Sequence, residues 1–95
     1  MERHAVVAIP EGLHARPAAQ FARLAAAQPV PVRISTGDGP PVDAASILGI
    51  MTLGADAGTT VTLAVDVPDG AAQTEADTAR ATLDTLEEFL TAPGR

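Results

Sequence analysis

Hydrophobic positions along the chain alternate between two periods, and the changes of period mark out seven elements. Residues 5–9 form an apolar run rich in Val and Ile, closed by Pro10, Glu11 and Gly12, which predicts a strand followed by a loop. From Pro17 onward Ala18, Phe21, Ala22 and Ala25 recur at helical spacing. Pro17 suits the first turn, where its missing N–H has no partner to lose, and Pro29 stops the helix after Gln28. Val30, Val32 and Ile34 then alternate with Pro31, Arg33 and Ser35, the period of a half-buried strand. Thr36, Gly37, Asp38 and Gly39 are turn residues, and Pro40-Pro41-Val42-Asp43 can form only a short edge strand because two of its positions lack ladder donors. Residues 46–51 predict a short apolar helix with Ser46 as its cap, although Gly49 stands where a capping box places Glu.

Beyond turns at Gly54 and Gly58, residues 60–67 give the most regular strand pattern, Val61, Leu63, Val65 and Val67 alternating with Thr62, Ala64 and Asp66. Pro68-Asp69-Gly70 turns the chain into a last helix. There Ala72, Ala76, Ala79, Leu83, Leu86 and Leu90 follow in steps of four and three, with Glu75, Asp77, Arg80, Asp84 and Glu88 opposite. The order is strand, helix, strand, short strand, short helix, strand, helix (βαββαβα), and helices sharing one face of a sheet make an α+β layer. Residues 91–95 read as a flexible tail.

Length and composition narrow the function. At 95 residues one domain spanning residues 1–95 is expected, and a second active domain has no room. Twenty alanines and only two aromatics, Phe21 and Phe89, predict an aliphatic core with helices packed closely on the sheet. The net charge is −6, and all six basic residues are arginines. Nucleic-acid binding is not expected, since it needs a clustered basic face and usually stacking aromatics. The lack of lysine excludes Schiff-base chemistry, and the lack of cysteine removes disulfides, thiolate nucleophiles and Cys-based metal sites. The opening Met1-Glu2-Arg3-His4 and the short apolar run after it fit neither a signal peptide nor a membrane span, so a soluble cytoplasmic protein is expected.

Two histidines carry unequal promise. His4 opens a strand with no chemical partner nearby and reads as a surface histidine. His14 sits in Gly12-Leu13-His14-Ala15-Arg16-Pro17, just ahead of a predicted helix. A helix N-terminus offers unpaired N–H groups and a positive dipole end that favour a phosphoryl group. Imidazole accepts phosphoryl groups at neutral pH, and Arg16 at the same helix end can supply a planar fork of donors to the oxygens. The plainer reading of the same six residues is a His and an Arg decorating a loop.

The stretch from Gly12 to Ala18 resembles the phosphorylation-site signature of HPr, the histidine-containing phosphocarrier of the bacterial phosphoenolpyruvate:sugar phosphotransferase system. A second segment, Val42 to Ala55 around Ser46-Ile47-Leu48-Gly49-Ile50-Met51, is similar to that family's regulatory-serine segment and the helix after it. The resemblance runs from about residue 3 to residue 90. It implies an open-faced β-sandwich, a four-stranded antiparallel sheet with three helices on one face. It further implies that His14 takes a phosphoryl group on Nδ1 from phosphorylated Enzyme I and passes it to a sugar-specific IIA domain. Arg16 would neutralise the group, and Pro17 with Ala18 would shape the helix end that covers its oxygens. Ser46 would be the serine modified by an HPr kinase/phosphorylase, and a helix cap alone is its other reading. No metal or cofactor is implied on this chain, which is expected to be a monomer without catalytic activity of its own.

Leu13, Ile47, Leu48 and Met51 form a candidate apolar docking patch rimmed by Arg16 and Arg23. In a short amphipathic helix about half of such residues are core, Leu48 and Met51 being the ones expected inside. The chain departs from the family pattern at several positions. Ala45 stands where a basic residue is common and Asp43 where an amide is usual, which weakens the expectation of kinase recognition. Glu11 replaces a small hydroxyl or amide residue; pointing inward it would repel a phosphoryl group, and pointing to solvent it would not. The missing lysines reduce the basic collar to Arg16 and Arg23 and weaken steering toward an acidic partner. The Ala-rich, Lys-free composition and Ala44-Ala45-Ser46 resemble HPr proteins of high-GC bacteria such as actinobacteria. Two other functions stay open: a regulatory paralogue acting through Ser46 or unphosphorylated docking, and a small ligand-binding or scaffolding domain of similar fold.

Overall fold

The computed structural model describes residues 1–37 and 39–92. The elements are β1 (Glu2–Val6), α1 (Ala15–Ala26), β2 (Arg33–Thr36), β3 (Val42–Asp43), α2 (Ile47–Thr52), β4 (Thr60–Ala64) and α3 (Gln73–Thr91). The strands make one antiparallel sheet in the order β1-β4-β2-β3. Its register puts Ala5 opposite Val61 and aligns Leu63, Ile34 and Val42 on one face, where Ala5, Val61, Leu63 and Ile34 are fully buried beneath the helices. On the other face Glu2, His4, Val6 and Thr60 are exposed, so the sandwich is open on one side.

The helical layer closes over this face with small residues. Ala18, Ala22 and Ala25 let α1 lie close to its neighbours, and Phe21 meets Phe89 of α3 with ring centroids 5.7 Å apart and planes tilted by 55°. α3 buries Ala79, Thr82, Leu83, Leu86, Phe89 and Leu90. Arg3 shares the core-facing parity of β1 yet stays at the margin, where its guanidinium donates to Asp84 and Glu87 of α3, both at 2.7 Å. At the ends of the two inner strands Arg33 of β2 makes a paired contact to Asp66, just past β4, at 2.8 and 3.1 Å. That hydrogen bond, with its Coulomb attraction, holds the Asp66 carboxyl below its ordinary range. Any stability it lends is present above that range and fades as pH falls through the depressed value; full exposure keeps it small.

Several expected boundaries move, each for a hydrogen-bonding reason. The predicted first strand, residues 5–9, is instead β1 at Glu2–Val6. Val7 and Ile9 stay buried, but the Ala8 N–H turns to the carbonyl of Leu90 at 2.8 Å, so apolar burial outlasts strand pairing. β2 begins at Arg33 and not at Val30, because Pro29 and Pro31 have no N–H for a ladder. β4 ends at Ala64, although Val65 continues the pairing through a 2.8 Å bond to Met1. α1 starts at Ala15, two residues before Pro17, which takes the third position where a proline still loses nothing. Thr91 closes α3, and residues 93–95 of the expected tail lie outside the described residues.

The largest correction concerns which apolar residues face inward. Leu13, expected in an exposed patch, is fully buried. In α2 the inward residue is Ile50, while Leu48 and Met51, expected in the core, are 77% and 46% exposed. A six-residue helix has room for one inward anchor, and residues one and two positions from it necessarily face elsewhere. Ile50→Ala is therefore expected to cost about 2–5 kcal/mol, whereas Leu48→Ala stays within about 0.5 kcal/mol. Urea unfolding of the two variants checks this, and equal losses would contradict the assigned orientation of α2.

Candidate functional site

The chain reaches the site through a loop pinned at both ends. Ile9 and Leu13 are fully buried, the Gly12 N–H bonds the carbonyl of Ile9 at 2.9 Å, and the Leu13 N–H bonds that of Ala55 at 2.8 Å. Gly12 has φ +73°, and a Cβ there would lie 2.8 Å from the Ala55 oxygen, 2.9 Å from Asp56 Cα and 3.0 Å from His14 Cδ2. Only glycine allows the α2–β4 loop and the loop before α1 to approach so closely.

His14 follows as the N-cap of α1, extended at φ −125° and ψ 159°, and its side chain makes no capping bond. The chain then enters the helix through Ala15 at φ +46°. This left-handed value disfavours a residue with a Cβ by about 1–3 kcal/mol, and the buried Leu13 and Pro17 on either side hold it in place. The first N–H to find an intrahelical acceptor is that of Ala18, to the His14 carbonyl at 3.3 Å. Pro17 has no N–H, so the amides of Ala15 and Arg16 are the free donors at this end. No acidic residue occupies the first turn of α1, which leaves the positive end of its dipole uncompensated from within the helix.

The His14 ring is partly exposed, at 39% of its side chain, and its Nε2 lies 2.6 Å from Oδ1 of Asp56. Arg16 is exposed and lines a hollow of about 560 Å³ with Glu11, Ala15, Pro17 and Gln20. Glu11 is thus both solvent-exposed and a wall of that hollow, placing a second carboxylate, besides that of Asp56, near this end. Arg23 lies further along α1, in a groove of about 530 Å³ against Thr85, Glu88 and Phe89 of α3, with Gln20 bordering both spaces. Among the described residues neither Arg16 nor Arg23 has an ion-pair or hydrogen-bond partner. Pro17 and Ala18 are buried and shape the helix end.

α2 packs beside α1 and carries the apolar patch. Ile47, Leu48 and Met51 are 45%, 77% and 46% exposed. Leu13 lies beneath the site as its support. Ser46 is the N-cap of α2, its Oγ accepting from the Gly49 N–H at 3.0 Å, while the Asp43 carboxylate accepts from the Ala45 N–H at 2.9 Å. Sequence reasoning missed Asp56, which sits 42 positions from His14 in a Gly-framed turn and carries no local signal of a partner. Among the described residues no helix is long and apolar enough to cross a membrane.

An open-faced antiparallel sandwich, with a histidine and an unpaired arginine at an uncapped helix N-terminus, is the architecture of a small phosphoryl-carrying domain. The family model for the PTS HPr component phosphorylation site matches residues 1–92, and the chain belongs to this HPr family. It is 49% identical to the phosphocarrier protein HPr of Streptomyces coelicolor over 74 residues, covering 78% of this chain and 80% of that one. The crystal structure of the phosphocarrier protein HPr from Bacillus anthracis superposes with a TM-score of 0.78 at 30% identity, covering 95% of both chains. HPr-C-His from Thermoanaerobacter tengcongensis gives a TM-score of 0.71 at 32% identity over 97% of both.

The closeness of the two loops makes a specific demand on Gly12. Gly12→Ala is expected to destabilise the fold by more than the about 1–2 kcal/mol of left-handed strain alone and to displace the His14 ring from Asp56. Gly58→Ala, at φ +91° with open space around the added Cβ, should show the strain and leave the ring undisturbed. Urea unfolding together with the imidazole NMR signals of His14 distinguishes these outcomes.

Proposed function

We propose that the chain is phosphorylated on Nδ1 of His14 by phosphorylated Enzyme I and donates the group to a sugar-specific IIA domain. The observation that carries this is the His14 ring, partly open to solvent, at an α1 N-terminus with no side-chain cap and with the exposed, unpaired Arg16 two residues on in the first turn. The phosphoryl oxygens would meet the amides of Ala15 and Arg16 and the Arg16 guanidinium, three sources of positive potential within one turn. A solvent-facing site suits a carrier, because the same group must enter and leave by in-line displacement between two proteins. Incomplete neutralisation, with Glu11 on the rim, keeps the group transferable.

Ile47, Leu48 and Met51 would be the apolar centre of the surface that partners cover, with Arg16 and Arg23 as its charged edge. Ser46 is the candidate for regulatory phosphorylation by an HPr kinase/phosphorylase. A phosphate there would replace a capping hydroxyl with two negative charges beside the docking patch and would repel an acidic partner. The carrier would act as a cytoplasmic monomer, presenting one face to successive partners.

The test is intact mass after incubation with phosphoenolpyruvate, Mg²⁺ and Enzyme I from the same organism, where Mg²⁺ serves Enzyme I. The wild type is expected to gain one acid-labile phosphoryl group and His14→Ala none. Arg16→Ala should be phosphorylated roughly 10- to 100-fold more slowly, the loss of one charge-assisted hydrogen bond. A wild type that gains no group overturns the carrier function.

A further inference from the structure

The contact between His14 and Asp56 joins two loops distant in sequence and decides which ring nitrogen is free. Asp56 is held by backbone: the Leu13 N–H bonds Ala55, the Gly58 N–H bonds the Val7 carbonyl at 2.7 Å, and the Thr59 N–H bonds the Asp56 carbonyl at 3.0 Å. Gly12 lets this loop come within van der Waals distance of His14. The carboxylate therefore stands at Nε2 because the chain is pinned on both sides of it, even though its own side chain is 79% exposed.

An ionised carboxylate only accepts hydrogen bonds, so at 2.6 Å the proton of a neutral imidazole lies on Nε2. The lone pair is then on Nδ1, which has no partner among the described residues. We infer that Asp56 is a positioning residue for His14, holding the ring in the Nε2–H tautomer and orientation that leave Nδ1 as the nucleophile. The inference rests on the carrier reading for its use, but not for its geometry.

The transfer balances without a proton shuttle. The Nδ1 lone pair forms the N–P bond, the donor's bond to phosphorus breaks with its electron pair staying on the donor, and Nε2 keeps its proton. The phosphorylated ring is then cationic and faces the Asp56 carboxylate. On donation the N–P pair returns to Nδ1, and the ring is again neutral with its proton on Nε2. Asp56 thus orients the acceptor before transfer and opposes the ring's charge after it.

The test combines ¹⁵N NMR of the His14 imidazole, which separates Nε2–H from Nδ1–H tautomers, with the rate of phosphorylation by phosphoenolpyruvate and Enzyme I. Asp56→Ala is expected to shift the ring toward a tautomer mixture and to slow phosphorylation roughly tenfold, with the melting temperature unchanged. Asp56→Glu, whose longer carboxylate can still reach Nε2 from an exposed site, should restore most of both. An unaltered ring signature in Asp56→Ala overturns the inference, and so does a slowed transfer with an unaltered signature, which would assign Asp56 to partner docking. If the wild type is never phosphorylated, the carrier reading falls, and the ring signature alone still decides the role of Asp56.

Discussion

The burial of Leu13 is the constraint on which the site depends. Its side chain is fully enclosed and its N–H is committed to Ala55, so the residue after it leaves the core at one place and in one direction. His14 is that residue, extended and uncapped, and the chain must turn sharply through Ala15 to begin α1. A loop tied only by surface contacts would let the ring wander. Here burial of Ile9, Leu13 and Pro17 sets the backbone while the side chains of His14 and Arg16 remain outside. The same burial brings the α2–β4 loop within reach, so the partner of the histidine is placed by packing 42 residues away.

Much of this was legible in the sequence. The seven elements and their order follow from periods of two and 3.6 residues, and Ser46 caps its helix as its residue type predicts. His14 at a helix start was legible from the Gly-to-Pro hexapeptide. The strand bounds that moved share one cause: periodicity reports burial, not hydrogen bonding. Ile9 looked like strand and is buried outside the ladder, Val7 bonds only the loop residues Gly58 and Thr59 beyond the end of β1, and Val30 and Val32 alternate properly but flank prolines that cannot pair. Leu13 looked like a loop leucine available to partners, because nothing local shows that a loop is folded inward. Asp56 was invisible for the same reason, its role existing only across a tertiary contact.

α2 shows how a short helix can be secured and still present apolar surface. Ile50 is its one fully buried residue, Ser46 satisfies the third of its free amides, that of Gly49, and Gly49 lets it pack against β3, where an added Cβ would stand 3.3 Å from that of Val42. Those three restraints orient the helix. Leu48 and Met51, two before and one after Ile50, are then turned outward, and Ile47 at the first position of the helix is left 45% exposed beside them.

Charge is sorted in a way that complements this geometry. The chain is acidic overall, yet its positive charges are not equally available. Arg3, Arg33 and Arg80 are each occupied by carboxylates, on α3 or just past the end of β4. Among the described residues the two arginines left unpaired, Arg16 and Arg23, both lie on α1. Each neutralised arginine elsewhere removes a competing attraction for an approaching anion, which leaves Arg16 and Arg23 as the free cations among the described residues. At the helix end the unpaired Arg16 stands among carboxylates, Glu11 in the wall of its hollow and Asp56 at His14, and at the range of diffusional encounter the whole molecule is anionic. The exposed apolar surface of Ile47, Leu48 and Met51 carries no charge of its own, so salt screens it far less than it would a lysine-rich face.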